Sequence, residues 1–345
     1  MAGAGERAYV YAKACGIIGK SFVGRRIAAL RPLNRLSELD RLIFGSRARE
    51  LPERELLPDL ERRLIRRSSA AVVSLAASYR NPPEFLSLLV RVYEYADLKT
   101  ALALAAGGEY GAKLGYTPLG SFGTVHFEAW PDIRVMLAGT DFEFLLDKDG
   151  LRKDFEGLAL ETVLDRRYYL RLLESMAKLK KNDRRAAEKI ITEEISLRNC
   201  AWMLRLRTYY GMEGAEVERH LVEYEGRSGK AGCLAADAFA ALEFPLDSRG
   251  PWEKWKRSGF LNPEGIPGGF QGPWHADPRY FQNAASEYLY RLALHAFRRR
   301  PFSLDTAFCF IKLKQFEEDL LTSGAEGLGM GMSGRDILGV IGGEK

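Results

Sequence analysis

Leu39-Asp40-Arg41-Leu42-Ile43-Phe44-Gly45-Ser46 is a stretch in which apolar residues at helical spacing lead to a glycine and a hydroxyl residue. The pattern returns 94 positions later as Ile133-Arg134-Val135-Met136-Leu137-Ala138-Gly139-Thr140. After each copy, a long helical stretch reaches a second shared pattern. That pattern is Glu94-x-x-Asp97-Leu98-Lys99-Thr100 in the first case and Glu193-x-x-Ser196-Leu197-Arg198-Asn199, 99 positions later, in the second. Two landmarks that shift by nearly the same amount predict duplicated structural units.

A weaker third copy of the second landmark, Phe316-x-x-Asp319-Leu320-Leu321-Thr322, lies further along the chain. Phe316 replaces the acidic residue there, and Leu321 replaces the basic one. The chain has 345 residues, which exceeds the size at which single hydrophobic cores stop growing. We therefore predict three helical units in tandem, at residues 1–110, 111–211 and 212–345.

The composition is that of a soluble globular protein, with 46% hydrophobic and 28% charged residues. No apolar run approaches the roughly 18 residues of a membrane span, and residues 1–7 lack the apolar core of a signal peptide. A cytoplasmic location is expected unless a partner carries the protein elsewhere. The formal net charge of +5 favours acidic partners only weakly. Cysteines at positions 15, 200, 233 and 309 have no paired spacing that would indicate disulfides or a zinc site.

Apolar periodicity, caps and helix breakers predict an all-α fold. Helices are expected at residues 9–30, 54–79, 81–107, 158–181, from a cap at Asn182 or Asp183 to Tyr210, at 282–300, from a cap at Ser303 to Gly324, and in a short segment beginning at Ser333. Strand signals are few, and residues 124–127 are the best short candidate.

Residues 244–278 change composition to proline, glycine and tryptophan, which predicts a long irregular insertion in the third unit. Loops of this length are usually functional or mobile. The tryptophans of this insertion have three interpretations: they line a partner site, they lie near a lipid interface, or they pack inside an ordinary loop. They are Trp252, Trp255 and Trp274.

Two glycine patterns suggest nucleotide binding, but neither has the surroundings it needs. Gly16-Ile17-Ile18-Gly19-Lys20-Ser21 ends like a phosphate-binding P-loop, yet Ala14 occupies the position where that loop requires a glycine. Gly329-x-Gly331-x-x-Gly334 matches a dinucleotide fingerprint, but too few residues follow it for the helix and strand of that fold. The histidines share no metal-ligand spacing, and no nucleophile elbow is present. We expect no catalytic group, cofactor or metal, and nucleotide hydrolysis at Gly19-Lys20-Ser21 stays a testable alternative.

Basic clusters are the most frequent charged feature of the chain. Most such clusters are solvated helix faces, and the alternatives are an acidic protein partner, anionic headgroups or nucleic acid. Nucleic acid is the weakest alternative, because no aromatic residues alternate with the basic ones. The clusters are Arg62, Arg63, Arg66 and Arg67; Lys178, Lys180, Lys181, Arg184 and Arg185; and Arg298 to Arg300.

The repeated polar residues have two interpretations. Helical spacing sets Glu94 beside Asp97, and Glu193 beside Ser196, so equivalent positions are expected to meet near a pseudo-symmetry axis. Such groups either lock neighbouring helices within each unit or bind a partner. The candidates for partner binding are Glu94, Asp97, Lys99, Glu193, Arg198 and Asn199.

These landmarks, taken with two further motifs, resemble the C-type (in eukaryotes, d-type) stalk subunits of rotary V/A-type ATPases. The likeness spans nearly the whole chain and depends on the order and spacing of loose motifs. The further motifs are Tyr9-Val10-Tyr11-Ala12-Lys13 and Lys312-x-Lys314-x-x-Glu317-x-x-Leu320.

The resemblance implies an all-helical protein whose three domains, related by a pseudo-threefold axis, form a funnel-shaped socket without an active site. It also implies a coupling role, in which the socket rests on the proteolipid ring at the cytoplasmic face of the membrane and receives the foot of the central stalk. ATP hydrolysis is thereby joined to the movement of protons or sodium ions. No nucleic acid or small-molecule substrate is implied. The alternative is a helical adaptor or scaffold with soluble partners only.

Overall fold

The computed structural model describes residues 3–148, 150–152, 157–223, 233–261 and 274–341. Within these ranges no β-strand is present, and an isolated antiparallel bridge joins Leu146 and Leu151. The predicted all-α fold class is confirmed. None of the helices in these ranges combines the length and the hydropathy needed to cross a membrane.

The helices of the described ranges are numbered in chain order, and short 3-10 turns fill several of the connections between them. They are α1 (Ala4–Ile18), α2 (Leu36–Phe44), α3 (Glu53–Ala76), α4 (Glu84–Val90), α5 (Val92–Ala106), α6 (Ile133–Leu137), α7 (Gly157–Ala177), α8 (Lys181–Tyr210), α9 (Gly214–Glu218), α10 (Ala236–Phe239), α11 (Arg249–Glu253), α12 (Pro278–Arg299), α13 (Leu304–Gly329) and α14 (Gly334–Ile341).

Most long helices occur where the sequence predicts them, but several bounds differ. The helix expected at 81–107 is two helices, because the backbone at Arg91 departs from ideal helix geometry, with ψ near −1°. It begins at Glu84 and not after an Asn81 cap, since the two prolines before it favour extended backbone. Neither Asn182 nor Asp183 caps α8, which begins at Lys181, and α13 continues past Gly324 to Gly329. The N-terminal helix ends at Ile18, and a separate 3-10 helix follows.

Both copies of the first landmark form a short helix that leads to a glycine, although Gly45 follows its helix directly and Ala138 separates Gly139 from the other. Each forms a short helix, α2 or α6, and each is followed by a glycine with positive φ, 57° at Gly45 and 68° at Gly139. Glycine adopts this conformation at little cost, whereas a side chain makes it unfavourable. The shared glycine of the repeat therefore turns the chain after a short helix.

The strand expected at residues 124–127 is absent, and that prediction is wrong. The backbone N–H groups of Thr124 and Val125 donate to the carboxylate of Glu94, and the N–H of His126 donates to the carbonyl of Met136. The short apolar run is extended because side-chain and loop acceptors take its donors, so no neighbouring strand is needed to satisfy them.

Among the described residues, the buried apolar side chains form three cores. The first gathers residues from α1 and α3 to α8 together with the α12–α13 junction, the second lies between α8 and the segments from α9 to α12, and the third joins α2, α3, α13 and α14. Four of the long helices, α3, α8, α12 and α13, contribute to two cores each: α8 has Ile195 in the first and Leu197 in the second. Since the first core draws on all three expected units, the boundaries near residues 110 and 211 stay a prediction.

Two tryptophans of the predicted insertion belong to the second core. Trp252 and Trp255 are buried, and their indole N–H groups donate to the carbonyls of Pro245 and Asp237, both at 2.7 Å. The packed interpretation is confirmed for this pair, and exposure to a partner or to lipid is wrong for it. Trp274 is half-buried beside Trp252. The insertion contains α11, and its residues 262–273 lie outside the described ranges.

Candidate partner-binding site

Lys99 and Arg198 occupy equivalent positions in two copies of the second landmark, and both pair with Asp165. The Lys99 Nζ lies 2.7 Å from one carboxylate oxygen, and an Arg198 guanidinium nitrogen lies 2.5 Å from the other. Asp165 lies on α7, which packs against both α5 and α8. One carboxylate therefore joins two of the repeated helices.

The helix of the third landmark, α13, is bonded to each of the other two landmark helices. The Tyr93 hydroxyl on α5 donates to the Glu318 carboxylate on α13 at 2.9 Å. Lys312 on α13 pairs with Glu194 on α8 at 2.7 Å. Because Asp165 is shared between α5 and α8, polar contacts link the three landmark helices pairwise. These contacts form a closed triangle.

Tyr169 supports the charges on the α8 side of this triangle. The Arg198 guanidinium lies over its ring at 5.4 Å from the centroid, and its hydroxyl donates to Glu194 at 3.3 Å. Burial raises the pKa of Tyr169 above its ordinary value, so the hydroxyl stays protonated. Tyr169 therefore orients a cation and an anion that face different helices.

Asp319 lies near the pair formed by Lys312 and Glu194. The side chain belongs to an exposed residue, yet burial among the neighbouring helices raises the pKa of this carboxyl to about 6, with Lys312 lowering it and Glu194 raising it further. Burial likewise raises the pKa of the adjacent Glu318 to about 7.

Glu94 and Asp97 on α5 bind the segment that follows this helix. Glu94 is buried and accepts from the backbone N–H groups of Thr124 and Val125, the latter at 2.8 Å. Asp97 accepts from the N–H of Thr117 at 2.7 Å. Both carboxylates thus satisfy backbone donors in the connection that leads into the second repeat.

Asn199 and Glu193 on α8 likewise bind segments that follow their helix. The buried Asn199 amide donates to the carbonyls of Val222 and Leu234 at 2.9 and 3.1 Å, and its oxygen accepts from the N–H of Val222 at 2.8 Å. Glu193 pairs at 2.9 Å with Arg257, which lies between α11 and α12. The copy of the second landmark on α8 therefore fixes the segments that follow this helix.

Glu317 on α13 likewise accepts a hydrogen bond from the backbone of another segment. It accepts from the backbone N–H of Phe22 at 2.8 Å and pairs with Lys314 and Arg67. Burial alone would raise the pKa of Glu317, but Lys314, the Phe22 amide and Arg67 together hold it below its ordinary value. On each of α5, α8 and α13, a side chain thus accepts a hydrogen bond from the backbone of a segment outside that helix. For α13 this segment is the one that follows α1.

Comparison with known proteins identifies the family of this chain. Residues 48–339 match the family described as ATP synthase (C/AC39) subunit. The chain belongs to the ATP synthase (C/AC39) subunit family. This is the V/A-type ATPase family that the motifs resemble, and the resemblance is confirmed. An uncharacterised protein of Treponema pallidum (strain Nichols) is 28% identical over 312 residues, which cover 90% of this chain and 88% of that protein.

In this member of the C/AC39 family, the six predicted partner-binding residues divide by exposure. Glu94 and Asn199 have 1% and 2% of their surface exposed, so neither can touch a partner directly. They act on a surface only through the loops that they hold. The other four are half-buried: Asp97, Lys99, Glu193 and Arg198.

Asp165 and Glu194 were missed by the sequence analysis, because neither residue belongs to the repeated pattern used to select candidates. A signal for Asp165 was nevertheless present. It lies three and four positions before Tyr168 and Tyr169, both of which are buried, so helical spacing puts a carboxylate on the buried face of α7. A charged residue on such a face requires a partner.

Gly19-Lys20-Ser21 does not form a phosphate cradle in this C/AC39 protein. A P-loop precedes a helix and leaves its N–H groups available to phosphate. Here the tripeptide follows α1, and its three N–H groups donate to carbonyls of that helix at 2.9 to 3.0 Å. In the described ranges, no group of three or more His, Cys, Asp or Glu side chains could hold a metal ion.

Proposed function

We propose that this chain is the non-catalytic coupling subunit of a rotary V/A-type ATPase, placed between the central stalk and the proteolipid ring. The observation that carries the proposal is the closed triangle of polar contacts between α5, α8 and α13, formed around Asp165 and the Glu194–Lys312 pair. Three repeats around one pseudo-threefold axis are expected to contact one another in this way. Membership of the C/AC39 family supports the part of the proposal that places the chain in a rotary ATPase.

The charged surface around Asp319 supports a socket for the stalk. Its side chains carry both signs of charge, with Asp319 near Lys312 and Glu194. A polar, charged wall keeps an empty socket hydrated and makes docking dependent on charge complementarity. Of the predicted residues, the half-buried Asp97, Lys99, Glu193 and Arg198 are our candidates for direct contact, and Glu94 and Asn199 support the wall from behind.

Torque transmission requires a stiff body, and the chain is tied in three places by bonds between distant segments. The helices themselves are densely packed, and close-packed protein deforms little. The α8 helix, with 30 residues and a length of about 45 Å, belongs to two cores. We therefore propose a rigid adaptor that turns with the stalk and the ring on the cytoplasmic face of the membrane.

The proposal is tested by isolating the tagged chain from gently solubilised native membranes at low salt, followed by mass spectrometry. Central-stalk and proteolipid subunits at near-equal stalk stoichiometry are the expected partners. Recovery of soluble proteins alone, with the chain intact, would instead identify a helical adaptor with soluble partners. Nucleotide binding that Lys20→Ala abolishes would revive the hydrolase alternative.

The candidate contacts are tested with the double charge reversal Asp97→Lys and Arg198→Glu. We expect its affinity for purified central stalk to fall by about tenfold or more, because two oppositely charged contacts change sign. Circular dichroism checks the fold, since both side chains also make internal bonds. The matched control is Glu55→Lys with Arg62→Glu, an equal exchange on exposed positions of α3. Unchanged affinity in the folded variant would remove Asp97 and Arg198 from the interface.

A further inference from the structure

Two basic clusters that are far apart in the sequence lie together in the structure. The connection between α7 and α8 and the connection between α12 and α13 line one open recess of about 790 Å³, with Arg7 of α1 as a third wall. Arg300 donates to the carbonyl of Asn182 at 2.6 Å and ties the two connections to each other. The recess is therefore built by three separate segments of the chain.

The charge that lines this recess is positive. Four cationic side chains face one carboxylate, that of Asp183, which Arg7 approaches to 3.6 Å. The Asp305 carboxylate is buried, and it lies 3.4 Å from Arg300. Both carboxylates thus have an arginine partner, and Lys180 and Lys181 also line the recess. The four cationic residues are Arg7, Lys180, Lys181 and Arg300.

Two long helices begin at the recess. Lys181 is the first residue of α8, and Ser303 is the N-cap of α13, and neither helix has a side-chain cap. The Ser303 hydroxyl donates to the carbonyl of Arg300 at 2.7 Å, so it does not accept from the first turn of α13. Helix N-termini carry partial positive charge and present N–H donors to anions.

We propose that this recess binds a phosphate group, carried either by an anionic lipid headgroup or by a soluble phosphorylated compound. Lysine, arginine and the first turns of two helices together supply the many convergent donors that a phosphate oxygen cluster accepts. These donors come from three segments of the chain around one open recess, and donors that converge from several sides suit a multiply charged group. The assignment is independent of the coupling role.

Phe302 is the reason for including a lipid among the probes. It stands at the recess with 52% of its surface exposed, and its φ of 61° is in the left-handed region that a bulky side chain rarely adopts. An exposed aromatic ring beside lysines and arginines is suited to the interface of a membrane with anionic headgroups. A soluble phosphate compound does not require such a ring.

The test uses the full chain and two probes, pyrophosphate in calorimetry and vesicles of phosphatidylglycerol in sedimentation, with phosphatidylcholine vesicles as the uncharged reference. The variant is Lys180→Glu with Lys181→Glu. Its matched control is Arg62→Glu with Arg66→Glu, the same charge change on exposed positions of α3. We expect the recess variant to weaken binding of the probe by about tenfold or more and the control variant by less than about threefold.

Pyrophosphate binding to the wild type at one site, lost in the recess variant, supports a soluble phosphate ligand. Sedimentation with phosphatidylglycerol but not phosphatidylcholine, lost in that variant and reduced by Phe302→Ser, supports a lipid headgroup. Absence of binding to both probes overturns the proposal. Equal losses in the recess variant and the control variant overturn it too, as does tighter binding of a polyglutamate peptide than of either probe.

Discussion

At the scale of single residues, Asp165 has the clearest energetic role, because it is the shared partner of Lys99 and Arg198. The side chains of all three are partly buried, with 17%, 25% and 34% exposed. Two cations brought together without their carboxylate would repel each other in a medium less polar than water. The repeated helices α5 and α8 would then be pushed apart at the point where they are joined.

Asp165→Asn should therefore lower the free energy of unfolding by about 2 kcal/mol. Urea unfolding at low and at high ionic strength measures this loss, which salt should partly reverse by screening the two cations. Glu161→Gln, on an exposed position one turn earlier in α7, is the control and should change stability by less than about 0.5 kcal/mol. A loss that salt does not affect would contradict the explanation by charge repulsion.

Glu318 gives the protein a pH dependence. Burial raises its pKa from the ordinary 4.5 to about 7, against the hydrogen bonds from Ser68 and Tyr93, which lower it. The folded state then binds a proton more tightly than the unfolded state, so this stabilisation is complete below about pH 4.5 and is lost as the pH rises through 7. Asp319, with its pKa raised from 3.8 to about 6, acts in the same direction at lower pH.

Glu318→Gln should accordingly flatten the pH dependence of stability. From about pH 5 to about pH 8, the wild type is expected to lose up to about 3 kcal/mol more than the variant. Urea unfolding at a series of pH values measures the difference. Asp319→Asn should flatten only the part of the curve below about pH 7. Parallel curves for the wild type and Glu318→Gln would show that this carboxyl is ionised in the folded protein.

At the scale of elements, the glycines after α2 and α6 permit a direct comparison of the two repeats. Gly45 and Gly139 both have positive φ, and a Cβ added at either would meet no atom within 4 Å. Any cost of substitution therefore comes from the backbone conformation and not from a clash. Positive φ at both positions predicts a cost at each.

Gly45→Ala and Gly139→Ala should each destabilise the protein by about 1 to 2 kcal/mol. Gly16→Ala is the matched control, because Gly16 lies inside α1 with ordinary φ and with no atom near its Cβ. That change should stabilise by about 0.5 to 1 kcal/mol. Midpoints of urea unfolding measure all three variants, and a neutral change at either turn would mean that its glycine is not required by the backbone.

The sequence predicted elements well where a local signal decides them. Gly211, with φ of 64°, ends α8 directly after Tyr210 as expected, and Ser333 precedes α14. The strand predicted at residues 124–127 is absent, although this apolar run has the composition of a strand. The backbone N–H groups of Thr124 and Val125 donate instead to Glu94, about 30 positions earlier. The break at Arg91 was missed for a similar reason, since its side chain bonds to Thr124 at 2.7 Å. At residues 124–127 and at Arg91, contacts with residues distant in sequence therefore override the local sequence signal.

The candidate site was predicted only in part. Repetition selected Lys99 and Arg198, which the structure shows to share Asp165, but it gave no reason to select Asp165, which lies between the repeated patterns. Repetition also does not distinguish a residue that faces a partner from one that braces a loop. Asn199 shows this, because its three hydrogen bonds all go to backbone groups of the segments after α8.

At the scale of the whole molecule, the long helices couple the cores. The α8 helix passes from the first core into the second, and α13 passes from the first, at Leu313, into the third, at Leu320. Loss of either helix exposes apolar surface in two cores at once. Separate unfolding of one core is therefore unfavourable.

Urea unfolding should consequently give one transition. Far-UV circular dichroism reports all helices, whereas tryptophan fluorescence is weighted to the second core through Trp252 and Trp255. Coincident curves from the two probes are the expected result. A fluorescence transition at lower urea would mean that the second core unfolds by itself, and a fragment of residues 111–211 that folds alone would show that the second unit is autonomous.

The bond between Phe22 and Glu317 also has a consequence for synthesis of the chain. Its two partners are 295 positions apart, and ribosomes add about 5 to 20 residues per second, so the early segment waits roughly 15 to 60 s for its acceptor. Over that interval α1 also lacks α13, against which it packs. The nascent chain thus exposes this apolar surface until α13 has been synthesised, and such surface is prone to aggregation before it is covered.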